Sequence, residues 1–385
     1  MIEEFVAKHK LPGYRVKQFD LAYYQQLVES WEELTTWPKE LRVELEREMP
    51  FSVLEPIREL VSDDGKTIKV LLERRDGTRL EAVLMRFKDG RNSVCVSCMV
   101  GCPVGCTFCA TGKMGFVANV SAREIVEQVM YFARLLKREL GGDTKNQTIN
   151  PGMFPSAKAT SMIPGFKVDN FPRVTNVVFM GMGEPMLNLG EVWEAVQVMT
   201  DQNKLGMGAR HVTVSTSGYA PQIRELMELG YRGRLAVSLH APTQELREKL
   251  MPTVAKVYRL TELMKVLDEY AAVTNKRISY EYAMIEGVND NGQQARQLVG
   301  LLKKRLVHVN LIPFNPIVIG LKEKVSRFNP GIGNPGIDAR MYRRSSVERI
   351  RAFANVLRVG GIERTIRITM GDDIAAACGQ LANKS

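Results

Sequence analysis

Residues 95–116, CVSCMVGCPVGCTFCATGKMGF, hold five of the six cysteines in a chain of 385 residues. Within this stretch Cys102, Cys106 and Cys109 make C-x3-C-x2-C, with Gly101 and Gly105 among them and Ala110, Thr111 and Gly112 as a small-residue exit. Thiols three or four residues apart on a loop can close round one metal centre, because glycine lets the backbone take the tight positive-φ turns this needs. Four thiolates are the usual complement for a cubane iron–sulfur cluster or a structural zinc. Three at this spacing leave one position open, and an iron without a protein ligand can bind a substrate. The stretch points to catalysis on a cluster rather than to electron storage.

Composition bounds the rest. The length suggests two or so domains, and 45% hydrophobic residues are ample for a sizeable core. The N-terminal MIEEFVAKHK carries acidic residues and no apolar core of a signal, and no run of about 18 apolar residues occurs, so a cytoplasmic location without a membrane partner is expected. Crowded cysteines in a large intracellular chain favour metal or redox chemistry over a disulfide scaffold. The net charge of +10 and pI near 9.3 fit a polyanionic partner such as RNA, though only in a general way.

Residues 1–62 read as a small helical N-terminal accessory domain, with amphipathic runs near Val16 to Trp31 and Pro38 to Arg47; Asp63-Asp64-Gly65 marks its end. Its Tyr23, Tyr24, Trp31 and Trp37 read first as core and second as base-stacking residues. A β-hairpin extension, 63–92, follows: Thr67 to Glu73 and Thr78 to Phe87 alternate in strand fashion about Asp76-Gly77. Glu81 shares a face with Val83, Met85 and Phe87, so a covered face would desolvate its carboxylate and incline it to take up a proton. After the cysteine loop, Ser121-x-x-Glu124 is a capping box for a helix to about Leu140. Strands are expected near 93–97, 174–180, 211–216, 234–239, 278–284 and 307–312, alternating with helices near 190–203, 221–229, 258–274, 291–305 and 346–358. Six such units, within 93–385, predict an α/β fold with a parallel sheet in an incomplete (βα)6 barrel, and a last strand near 363–369 delivers Cys378.

In such a barrel active sites lie just past the C-terminal ends of the strands. Gly181-Met182-Gly183-Glu184-Pro185, Ser215-Thr216-Ser217-Gly218, Ser238-Leu239-His240-Ala241-Pro242 and Pro313-Phe314-Asn315-Pro316 all fall there. Glycine beside an acidic residue lets backbone carbonyls and a carboxylate approach a cationic amine. Singly, each has a plain structural reading: a turn for the Gly-Pro pairs, a hydrogen-bonded core histidine for His240.

C-x3-C-x2-C before a small residue resembles the radical S-adenosylmethionine (SAM) superfamily, in which the open iron of a 4Fe-4S cluster chelates SAM. Cys95, seven residues before Cys102, and the ending Gly371-Asp372-Asp373-Ile374-Ala375-Ala376-Ala377-Cys378-Gly379-Gln380-Leu381 narrow this to the radical SAM RNA adenine-C2 methyltransferase family. The match runs from about Gly13 to Leu381. The resemblance implies methylation of carbon 2 of adenine in 23S rRNA and, in some members, tRNA, with Cys102, Cys106 and Cys109 as cluster ligands and an electron donor such as flavodoxin. It implies a SAM pocket of Gly183, Glu184, Ser215, Ser238, Leu239, His240 and Asn315. Cys378 would take a methyl group from one SAM and, after radical activation by a second, pass it to the base. Cys95 would then release product by forming a disulfide with Cys378, and Glu81 would be the base, although it lies one position from the family's spacing.

Departures remain. Cys98 and Met99 stand where the family has Ser and Gln; Ile368 and Met370 replace the Lys and Arg expected before Gly371, while Arg364 and Arg367 stay nearby. The segments 141–172 and 317–343 read as long loops, the second with Lys322, Lys324, Arg327, Arg340 and Arg343 as phosphate contacts or as an insertion without catalytic role. Arg210, Arg232, Arg234, Lys304, Arg343 and Arg344 are further phosphate candidates. Three alternatives stay open: methylation at carbon 8, a cluster protein serving only electron transfer, and a zinc-stabilised RNA-binding protein with Cys98 as fourth ligand.

Overall fold

The computed structural model describes residues 2–141, 174–317 and 342–382. Apart from their ends, the loops expected at 141–172 and 317–343 lie outside these, as do Lys322, Lys324, Arg327 and Arg340. One ten-stranded sheet organises the chain. Its strands are β1 (Leu54–Val61), β2 (Thr67–Arg74), β3 (Arg79–Arg86), β4 (Asn92–Cys95), β7 (Asn176–Phe179), β8 (Val212–Thr216), β9 (Arg234–Ser238), β10 (Ile278–Met284), β11 (Val307–Pro313) and β12 (Arg364–Ile366), in that spatial order. From β4 onward all pairings are parallel; β1 to β4 are antiparallel. A separate ribbon pairs β5 (Met99–Gly101) with β6 (Phe116–Asn119) and closes the base of the cysteine loop.

The expected strands are present within a residue or three of their bounds, and β12 follows the sixth unit as anticipated. Helices Leu189–Thr200, Ala220–Glu228, Leu260–Thr274, Gly292–Leu302 and Val347–Val359 supply the outer layer. Their apolar faces and the sheet bury one continuous core. The parallel strands read as apolar runs because both faces are covered; Val177, Val214, Val237, Tyr282 and Val309 are fully inside. Two short helices, Gln244–Leu250 and Pro252–Val257, carry no separate expectation from sequence.

The N-terminal region differs at its end. Leu54–Val61, within the stretch expected to be helical, is instead strand β1, paired with β2 from Leu54↔Arg74 to Val61↔Ile68. The hairpin about Asp76-Gly77 is thus part of a wider antiparallel wing. Before it, helices Ile2–Lys8, Tyr14–Asp20 and Lys39–Glu48 surround the aromatic residues. Phe19 stacks on Tyr23 at 5.1 Å and Trp31 meets Phe51 edge-on at 4.9 Å; Tyr23, Tyr24, Trp31 and Trp37 are all buried, so they are core and not a base-stacking platform. This unit docks on the helix Ala122–Gly141, whose capping box forms as read: Glu124 Oε2 accepts from Ser121 N at 2.8 Å and Ser121 Oγ accepts from Glu124 N at 3.3 Å. Arg134 donates to the Val28 carbonyl at 2.9 Å, and the buried Glu127 carboxylate accepts the Val53 and Leu54 amides. Among the described residues no helix is long and apolar enough to cross a membrane.

Candidate active site

At the C-terminal ends of the parallel strands lies a cavity of about 1010 Å³, open to solvent. Cys102, Cys106, Cys109, Gly183, Glu184, Ser215, Ser238, His240, Asn315 and Cys378 all line it. Ten of the thirteen residues singled out from sequence therefore meet in one place. Leu239, Cys95 and Glu81 are not among the lining residues. Leu239 is fully buried and contributes backbone, its N–H donating to Glu281 O at 3.1 Å.

The cysteine loop is held from three sides. Gly101 has φ +74°, and a Cβ there would fall 1.8 Å from the Gly115 carbonyl oxygen, so only glycine lets the ribbon close. Thr107 N donates to Leu250 O at 3.0 Å, and Ala110 N donates to Gly379 O at 2.8 Å, joining the loop to the Cys378 segment. Burial pushes the Cys102 and Cys106 thiols well above the ordinary range, and the Cys109 sulfur raises each further. Thiols so placed ionise when a cation compensates them, as ligands of a metal centre do.

Glu184 is buried at the end of β7, and desolvation raises its carboxyl above the usual value. It does not stand bare: Oε2 accepts from Ser217 N at 2.7 Å and Oε1 from Met186 N at 3.1 Å. A buried carboxylate on a cavity wall, held by backbone amides and, among the described residues, without a cation paired to it, suits a ligand ammonium group. Gly183, φ +109°, brings the chain against Met99 and Cys98, where a Cβ would sit 2.7 Å from Met99 Cβ. His240 is a neutral imidazole. Burial, with Arg247 adding, holds its pKa down to about 3, and Nδ1 accepts from Ala283 N at 2.9 Å, which leaves Nε2 as the N–H donor. It thus serves as a core histidine and a cavity wall at once.

Cys378 is the exposed member of the six cysteines, all of them free, and it opens on the cavity. The surrounding walls still strip much of its hydration and push its pKa up to about 11; Arg367 works the other way, while Cys109 and Glu281 add to the rise. Cys95 is buried at the end of β4, which pushes its thiol up to about 12, with the neighbouring Cys378 sulfur adding to the rise. A hydrogen bond with the Met180 backbone and the Arg367 charge oppose it. Cys98 is buried, bounded by Gly183, and does not line the cavity, in keeping with a packing role.

Glu81 is buried on β3 and its carboxylate is engaged: Lys69 Nζ lies 2.9 Å from Oε1, and Oε2 accepts from Ala382 N at 2.8 Å. Arg344, a phosphate candidate, is committed to the site's frame, donating to Phe314 O at 2.7 Å and Asn315 Oδ1 at 3.0 Å and pairing with Asp372 at 2.7 Å. Asn315 Nδ2 in turn donates to Cys378 O at 3.1 Å. Sequence reasoning passed over Glu281 and Arg247. Glu281 lines the cavity with its carboxylate held by Asn310 at 2.8 Å and Arg367 at 3.4 Å. Arg247 is fully buried and donates to the Ser217 carbonyl; burial lowers its pKa to about 10, while Cys106 favours its charge. A charged residue in the middle of an otherwise parallel, apolar strand (Glu281 in ISYEYAM) was the available signal.

A structural zinc would need a fourth protein ligand, and Cys98, the candidate for it, is buried against Gly183 and does not line the cavity with the three loop cysteines.

The Radical SAM superfamily profile matches residues 166–299. The probable dual-specificity RNA methyltransferase RlmN of Symbiobacterium thermophilum is 39% identical over 374 residues, 97% of this chain and 86% of that protein. The ribosomal RNA large subunit methyltransferase N of Nitrosopumilus maritimus is 36% identical over 387 residues, 99% of this chain and 95% of that protein. The crystal structure of a radical SAM methyltransferase from Sphaerobacter thermophilus superposes with a TM-score of 0.83 at 39% identity, covering 100% of this chain and 97% of that one. The superfamily implies a 4Fe-4S cluster and SAM, and the thiol-lined loop beside Glu184 fits both. The chain belongs to the RlmN family of radical SAM RNA methyltransferases.

Proposed function

We propose that the protein methylates carbon 2 of an adenine in 23S rRNA, and in tRNA as well, by way of a methyl group carried on Cys378. The observation that supports this most is the meeting of Cys378 with the three-cysteine loop on one cavity, although 269 positions separate Cys109 from it in the chain (378 − 109). Relatives bearing the large-subunit rRNA and dual-specificity names support the choice of RNA.

Cys102, Cys106 and Cys109 would hold the cluster, and Glu184, with Gly183, Ser215, Ser238, His240 and Asn315, would hold SAM, the carboxylate receiving its amino group. Bound together, cluster and SAM supply radical chemistry, which an electron-poor ring carbon requires because it does not attack a methyl sulfonium as a nucleophile. This chain's residues do the rest. Arg367 stabilises the Cys378 thiolate as it takes the methyl group, and the cavity walls exclude water from the activated carbon. Cys95, adjacent to Cys378 and buried, then attacks the Cys378 sulfur as a thiolate, and a Cys95–Cys378 disulfide forms. The bond from the Cys378 sulfur to the transferred carbon breaks, and that carbon keeps the electron pair and takes a proton as the RNA is freed. Burial keeps Cys95 from competing thiols until then. A carboxylate must take the ring proton. Glu81 is the assignment by resemblance, and release of its Ala382 contact would open it to the base. A low-potential donor such as flavodoxin supplies electrons.

The test is to incubate reconstituted enzyme with labelled SAM and 23S rRNA, or tRNA, and identify the nucleoside. Label in 2-methyladenosine is expected; label in 8-methyladenosine alone replaces carbon 2 by carbon 8.

A further inference from the structure

The Cys378 segment has no regular secondary structure beyond turns, yet the chemistry needs its sulfur fixed. A chain end in this state is ordinarily mobile unless tied down. Some of its ties face the cavity, through Gly379 O, Cys378 O and Leu381 O; others lead to the antiparallel wing. In the β2–β3 register Leu71 faces Glu81 and Lys69 faces Val83, so Lys69 and Glu81 share a face on the diagonal and pair at 2.9 Å. Both are buried, at 6% and 1% exposure. Neither charge ends in the hairpin. Lys69 Nζ donates to Ala375 O at 3.1 Å, three residues before Cys378, and Glu81 Oε2 accepts from Ala382 N at 2.8 Å, four residues after it. At the head of the segment Gly371, φ +67°, lies so close to β2 that a Cβ would meet Thr67 Cγ2 at 2.7 Å. Asp373 takes the Asp63 N–H at 2.8 Å.

We propose that the buried Lys69–Glu81 pair fastens the C-terminal segment on both sides of Cys378 and so positions its sulfur over the cavity. The inference rests on the assignment of Cys378 made above. A hairpin that needed only stability would bury apolar side chains at these two places, since desolvating two charges is costly. What the charges add is a donor for the Ala375 carbonyl and an acceptor for the Ala382 amide. Lys69 and Glu81 are thus positioning residues, and the second has this duty whether or not it also takes a proton.

Hydrogen exchange on the full chain, without SAM or RNA, tests this directly. The Lys69→Leu/Glu81→Leu variant removes both charges together and strands neither, so the fold survives. Amides of Gly371–Ala382 are expected to exchange about tenfold faster than in the wild type, those of β7 to β11 at the same rate, and Cys378 to react faster with iodoacetamide. Lys69→Met is the second variant and should loosen the same peptide. With SAM, methyl transfer to Cys378 should slow while SAM affinity holds. Unchanged exchange of the segment in both variants overturns the proposal. A wild-type enzyme that never methylates Cys378 would sink the proposed function, yet leave the exchange result standing.

Discussion

Arg367 lowers the pKa of both Cys378 and Cys95. Its loss should raise Cys378 further above about 11. Because the thiolate is the reactive form, alkylation of Cys378 in the metal-free wild type should rise about tenfold per pH unit until that value is reached. Arg367→Gln should react more slowly at every pH below it, and equal rates would remove the role given to Arg367. Gly183 is a second single-residue test. Its φ of +109° and a 2.7 Å encounter with Met99 make Gly183→Ala costly by about 1–3 kcal/mol, read as a lowered melting temperature, together with weaker SAM binding through the displaced Glu184. The three loop cysteines were legible as a candidate cluster site because three cysteines at fixed spacing have few other uses. Lys69 was legible as well, had the hairpin pairing been counted out from Asp76-Gly77, since the tight turn sets Lys69 diagonal to Glu81.

At the scale of elements, the N-terminal helices hold a carboxylate with an unusual environment. Asp20 is buried, its Oδ1 has no hydrogen-bond partner, and burial, opposed by Lys204, lifts its pKa to about 6 from 3.8. A folded-state value above the unfolded one means that the stabilisation is fully present below about pH 4 and lost as pH rises through about 6. Asp20→Asn should therefore be more stable than the wild type at pH 8, by about 1–2 kcal/mol in urea unfolding, and the difference should vanish at pH 4. A wild type that gains stability between pH 4 and 7 relative to the variant would contradict this. The parallel units were readable because each strand is an apolar run followed by an amphipathic helix. Strand β1 was not. LEPIRELV buries only Leu54, with six of its eight residues exposed, so as an edge strand it shows no inward face to a pattern search, and its pairing to β2 is decided by tertiary contact.

Across the whole molecule, the sheet is open among the described residues: β1 and β12 are its ends, and the chain after β12 returns to the β1–β2 turn through Asp373 and to β2 and β3 through Ala375 and Ala382. That return closes the account of why a cysteine at the far end of the sequence meets a loop near residue 100. Composition could not show it, whereas the resemblance of residues 371–381 pointed to it. Removing residues 371–385 should leave the parallel sheet folded and the cluster loop able to take up iron, and should abolish methyl transfer to RNA. An unfolded truncation would mean that the segment is part of the core. The net charge of +10 predicts that RNA affinity falls linearly in log–log fashion with salt. Affinity insensitive to salt would point to recognition by base contacts alone.

The most direct measurement is mass spectrometry of the peptide carrying Cys378 after reconstituted enzyme has met methyl-labelled SAM without RNA. The account predicts one labelled methyl group on the Cys378 sulfur, chased into RNA when substrate is added. Label appearing in RNA while Cys378 stays unmodified throughout would contradict it.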